Sequence, residues 1–188
     1  MKPILAFTGS NNPHSINQQL LLAAAQKFPV GYVRFLSLSD FPVPIYSPCL
    51  EKQMPIPVVI RQLQQLFDQA DGFMIASPEH NGLPTAFLKN TIDWLSRLDQ
   101  RIFQGKPVLL LSTSPGQTGG ASSLNILAGL LPRWGGTLAA SYSLPSFNRN
   151  YDATSQRILN PAEDENLTLA VSRFLQAVSP QLPLPISA

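Results

Sequence analysis

Five short apolar runs divide the chain: PILAFT (3–8), VGYVRFLSL (30–38), GFMIAS (72–77), KPVLLLST (106–113) and GTLAASYSL (136–144). Their length and the Gly, Pro, Ser and Asp around them read as strands. Between them the apolar period changes. SINQQLLLAAAQKF (15–28) places Ile16, Leu20 and Ala23 at helical spacing behind Ser15 as an N-cap. IRQLQQLFDQA (60–70), TAFLKNTIDWLSRL (85–98), GGASSLNILAGLLPRW (119–134) and NPAEDENLTLAVSRFLQAV (160–178) read as further helices. The proline-rich stretch 40–57 can form no long helix, and the last residues, PLPISA (183–188), are expected to fray. KPVLLLST is apolar at successive positions, as strands covered on both faces are. The alternation predicts an α/β sandwich, a five-stranded parallel sheet between two helical layers. Helix 85–98 has Leu88, Ile92 and Leu95 on one face and Phe87, Trp94 and Leu98 on another. That second apolar face suggests a subunit interface.

Composition narrows the partners. A chain of 188 residues suits one domain, 1–188, with a substantial core. Net charge is +2 with no Lys/Arg cluster, which argues against nucleic acid. The single cysteine, Cys49, allows no intrachain disulfide and fits a reducing compartment. No signal-peptide pattern or membrane-length apolar run is seen, so the cytoplasm is the expected location. His14 and His80 lack partners at metal-ligand spacing, so no metal is expected, and without a GxSxG elbow there is no hydrolase triad to build on.

Parallel sheets bind ligands beyond the carboxyl ends of their strands. The segments there read GSNNPHS, SPEHNG and STSPGQTGG, all rich in Gly, Pro, Ser and Asn. The first lacks both GxxxxGK[ST] and GxGxxG. Its hydroxyls and carboxamides, with the amides of a helix N-terminus, suit a monophosphate held by neutral donors. The plain alternative is that Ser15 only caps the helix. In the second, Pro78 stiffens the turn and Gly82 tolerates positive φ. The N–H groups of Glu79, His80, Asn81 and Gly82 could then face the edge of a flat polar ring such as an isoalloxazine. Taken alone, His80 reads as an exposed loop histidine, and Glu79 as a solvated loop carboxylate rather than a general acid or base. In the third, Thr113 and Ser114 offer hydroxyls, and Gly116, Gly119 and Gly120 allow close backbone approach.

These residues resemble the NADPH-dependent FMN reductase family. GSNNPHSIN is similar to its GS-x-R-x-x-S-x-N phosphate loop, PEHNGLPTAFLKNTIDWLSR to its PEYN-G-x-P-x-x-LKN-x-IDW segment, and STSPGQTGG to its third loop. The resemblance implies a flavodoxin-like fold with sheet order 2-1-3-4-5. It implies bound FMN, with NADPH or NADH as electron donor and a flavin, quinone or similar small molecule as acceptor. A homodimer or homotetramer is implied as well. The candidate cofactor contacts are Ser10, Asn12, Ser15, Ile16 and Asn17 in the first loop. Pro78, Glu79, His80, Asn81 and Gly82 supply the second set, and Thr113, Ser114 and Gly116 the third. No side chain need be catalytic, because the flavin carries the chemistry. Asn12 stands where the family has arginine, and His80 where it has tyrosine. The alternatives are a flavodoxin-type electron carrier and a flavin-binding regulatory module.

Overall fold

Each of the five apolar runs becomes a strand of one sheet. In the computed structural model, which describes residues 2–179, these are β1 (Ile4–Thr8), β2 (Val33–Leu36), β3 (Gly72–Ala76), β4 (Pro107–Thr113) and β5 (Thr137–Leu144). All neighbours pair in parallel, in the spatial order β2-β1-β3-β4-β5. That is the flavodoxin-like order expected above. The tail at 183–188 lies outside the described residues. No helix among the described residues is long and apolar enough to cross a membrane.

The helices are α1 (Ile16–Ala25), α2 (Val58–Asp68), α3 (Ala86–Leu95), α4 (Ala121–Leu130) and α5 (Pro161–Val178). Strand periodicity sorts the core into two halves. Met74 and Ala76 of β3 face Leu20 and Leu21 of α1 and Phe174 of α5. Phe73 and Ile75 face Phe67 of α2, Trp94 of α3 and Leu127 of α4. Every residue of β3 is buried, whereas β2 is a half-exposed edge, shorter than the apolar run 30–38 that contains it.

The proline-rich stretch changes one expectation. It holds a single helical turn, Pro48–Gln53, capped by Ser47, and otherwise runs as extended chain across α3. The Trp94 indole N–H donates to the Pro44 carbonyl at 2.8 Å, and Asn90 bonds the Tyr46 amide at 2.8 Å and the Pro44 carbonyl at 3.1 Å. Tyr46 meets Trp94 edge-on, with ring centroids 5.3 Å apart. Phe87 and Leu98 pack into the same core half as Val43, Tyr46, Leu50 and Ile56. The second apolar face of this helix is therefore covered by the chain's own residues. Its surplus apolar surface is not by itself a sign of a subunit interface.

Candidate functional site

The three loops named from the sequence come together at the carboxyl end of the sheet, held by side chains that bond across them. Asn17, 2% exposed, accepts from the Thr113 amide at 3.0 Å and donates to the Thr113 carbonyl at 3.0 Å. It ties the start of α1 to the end of β4. The Thr85 hydroxyl, buried, donates to the Gly9 carbonyl and accepts from the Leu88 amide as N-cap of α3. The first loop is thus tied to the second. The Ser112 hydroxyl donates to the Ser77 carbonyl at 2.9 Å, and the Ser123 amide donates to the Glu79 carboxylate at 3.0 Å. These bonds join the second loop to β4 and to α4.

Within the first loop the Asn12 amide donates to Ser10 Oγ, and Asn12 Oδ1 accepts from the His14 amide at 2.9 Å. Asn12 thus folds the loop on itself. Ser15 occupies the N-cap of α1, as expected, but its hydroxyl makes no capping bond. Among the described residues the amides of Ile16 and Asn17 find no acceptor. Two N–H groups and the Ser15 hydroxyl remain uncommitted at the start of α1, with the Ser10 hydroxyl still able to donate. The three loops contain no Lys or Arg. This donor set matches a single phosphate group bound by neutral hydrogen bonds and a helix dipole. The residues therefore fit the phosphate of FMN. Asn17 has only its backbone amide left to offer, since its side chain is engaged with Thr113.

The second loop differs from the expected open row of amides. Glu79–His80 pairs antiparallel with Leu83–Pro84, and Asn81 (φ 54) and Gly82 (φ 78) form the two-residue turn between them. Two successive positive φ values are what a type I′ hairpin requires, and Asn-Gly supplies them. That dipeptide was the signal for a hairpin in the sequence. Along an extended arm successive N–H groups point to opposite sides, so the four amides cannot all face one way. Pro78 and Glu79 are half-buried, whereas His80 and Asn81 are exposed. Glu79 is half-buried, and its carboxylate is engaged rather than simply solvated. It caps α4, whose own N-cap residue, Gly120, has no side chain to do so.

The third loop separates its glycines by role. A Cβ on Gly120 (φ 82) would lie 2.2 Å from Ser112 Oγ, and one on Gly119 (φ 59) 2.6 Å from the Leu144 carbonyl oxygen. Both serve internal packing. Only Gly116 is open, with Ser114 Oγ at 3.6 Å. The Thr113 hydroxyl donates to the Leu144 carbonyl at 2.8 Å, so its backbone and hydroxyl are all engaged within the chain. Ser114 and Gly116 are held by the helical turn Phe147–Asn150: their carbonyls accept from the amides of Phe147 (3.0 Å) and Ser146 (2.8 Å). This clamp carries no sequence signal, since its bonds span some thirty residues. The Thr85 staple does carry one, a threonine just ahead of a helical run.

Comparison with known proteins agrees with this fold. The family model described as NADPH-dependent FMN reductase matches residues 2–148. A quinone reductase of Escherichia coli K12 is 40% identical over 85 residues, which cover 45% of this chain and 44% of that protein. The chain thus matches less than half the length of that relative. A 2-hydroxy-1,4-benzoquinone reductase of a Burkholderia species is 33% identical over 129 residues, 68% of each chain. Among solved structures, the flavoenzyme NAD(P)H:(acceptor) oxidoreductase FerB of Paracoccus denitrificans superposes with TM-score 0.76 at 24% identity. That match covers 99% of this chain and 100% of the other.

Proposed function

Because the chain belongs to the NADPH-dependent FMN reductase family, we propose that it is an FMN-dependent NAD(P)H oxidoreductase that reduces a quinone or a similar small acceptor. The observation that carries this reading is the cluster of uncommitted donors in the first loop, the amides of Ile16 and Asn17 with the hydroxyls of Ser10 and Ser15. Bound FMN would supply the redox chemistry, hydride acceptance from a reduced nicotinamide and electron delivery to the acceptor. The protein binds and orients. Its first loop takes the phosphate, the hairpin at 79–84 borders the ring, and Ser114 and Gly116 close the third side. Cross-loop bonds from Asn17, Thr85 and Glu79 fix these walls before the flavin arrives, so little ordering remains to oppose binding. The whole chain acts here as one FMN-binding domain in the cytoplasm. Its homodimer or homotetramer would use the exposed apolar residues beside the ring wall, Leu83 and Ile126.

Titration of flavin-free protein should give tighter binding of FMN than of riboflavin. Equal affinities would remove the phosphate assignment. Steady-state oxidation of NADPH and NADH with a quinone, with and without added FMN, separates an enzyme from an electron carrier, which would show no turnover of its own.

Asn12 makes a local turn where the family places a cation. Asn12→Arg should therefore strengthen FMN binding, by about 1.5–3 kcal/mol at most, the range of a charged hydrogen bond. Riboflavin affinity should not change. A weaker FMN complex would mean that residue 12 lies away from the phosphate.

His80 is exposed on the hairpin that borders the ring. His80→Tyr should change reoxidation by a quinone more than reduction by NADPH when stopped-flow measures the two steps separately. Equal changes in both rates would reject a role on the acceptor side.

A further inference from the structure

The phosphate loop and the end of β2 face each other across an open cleft of about 670 Å³. That is within the roughly 300–1,000 Å³ usual for small-molecule sites. Ser10 and Asn12 form one side, and Phe35, Ser37 and Asp40 the other. Among the described residues no Lys, Arg or His lines it. Thr8 also lines it, and its buried hydroxyl lacks a hydrogen-bond partner among the described residues. Phe35 is 45% exposed, an unusual state for an aromatic residue on a strand. Asp40 is exposed and forms no ion pair among the described residues. The cleft therefore offers neutral donors, a free aromatic face and one free carboxylate, next to a loop built for phosphate.

We propose that this cleft binds the ribonucleoside end of a dinucleotide. In dinucleotide-binding α/β folds a carboxylate beyond the second strand, close to the phosphate-binding helix start, holds an unphosphorylated ribose diol; this chain has the carboxylate without their GxGxxG turn. Asp40 has that position and accepts hydrogen bonds from the diol. Phe35 supplies a stacking surface, which any base can use. A phosphate on the ribose 2′-oxygen would meet the Asp40 carboxylate with no cation in the lining to offset the repulsion. The cleft thus selects the adenosine of NADH over that of NADPH. The proposal rests on the reading of the first loop as the phosphate site. Two molecules carry the required end, the reduced nicotinamide donor and FAD, and they share the same chemistry here.

The test has two arms. FMN-loaded protein is titrated with ADP-ribose and with 2′-phospho-ADP-ribose by calorimetry, and flavin-free protein is titrated with FMN and FAD by fluorescence. ADP-ribose should bind the loaded protein, and the 2′-phosphorylated form about ten-fold more weakly, the lower range of one charged contact. Asp40→Asn should erase most of that difference without moving the thermal midpoint. If ADP-ribose binds only flavin-free protein, FAD binds tighter than FMN, and Phe35→Ala removes the excess, the nucleoside is that of the flavin dinucleotide and the cleft assignment stands. No binding of ADP-ribose to either form, with no FAD advantage, overturns it. So does a preference that Asp40→Asn and Phe35→Ala both leave intact. Failure of FMN itself to bind would count against the proposed function, while ADP-ribose on flavin-free protein would still decide the cleft.

Discussion

Trp94→Ala should lower the unfolding free energy by about 3–5 kcal/mol, the range for removing a fully buried tryptophan. Its side chain is 0% exposed and lies where α3, the sheet and the proline-rich segment meet. Truncation leaves a cavity, takes the shorter of two hydrogen bonds from the Pro44 carbonyl, which keeps only that from Asn90, and removes the ring against which Tyr46 packs. Trp94→Phe keeps most of the apolar body and loses the hydrogen bond, so it should cost distinctly less. Denaturant midpoints give both values, and light scattering on the same samples gives the mass. The expected result is a large fall in midpoint for the alanine variant with unchanged mass. An unchanged midpoint with a smaller particle would instead return this face of α3 to its first reading, a subunit interface.

That face shows where sequence pattern stops being informative. A helix with two apolar stripes must cover both, but periodicity is blind to what covers them. Here the cover is residues 41–56, whose prolines excluded a long helix and left no period to read. The sheet was legible because its strands are short apolar runs set off by punctuation, although the half-exposed β2 fills only part of its run. The site was legible in location, since loops at the carboxyl ends of parallel strands follow from the alternation. The division of labour within it was not. Glu79 and Ser123, or Asn17 and Thr113, lie far apart in the chain, and no local spacing marks a bond between them. Polar residues taken from the sequence as ligand contacts, Asn17, Glu79 and Thr113, instead use their side chains to hold the loops together. Ser15 went the other way: a residue type that ordinarily caps a helix leaves its hydroxyl free where an anion would sit.

Asn17→Ala should therefore damage the fold before it damages any single ligand contact. It leaves the amide and carbonyl of Thr113 without their partner, at about 1–3 kcal/mol for each buried group left unpaired. It also unties α1 from β4, so the advantage of FMN over riboflavin should shrink along with stability. Asn17→Asp is the sharper variant. An aspartate keeps the acceptor for the Thr113 amide but replaces the donor to the Thr113 carbonyl. As a carboxylate it would place a buried charge against a carbonyl oxygen, which disfavours the ionised form and raises its folded pKa. As a neutral acid it can donate to that carbonyl and restore the bridge. The sign follows: the unfolded chain loses this proton near pH 4, the folded chain at a higher pH. Relative to the parent, Asn17→Asp should be nearly as stable at and below about pH 4 and should lose stability as pH rises from there to the raised folded pKa. Thermal melts of parent and variant from acidic to neutral pH measure this directly. A variant as stable as the parent at neutral pH would show that the Asn17 amide is not locked between the Thr113 groups. A pH-independent loss confined to FMN affinity would place its side chain on the phosphate after all.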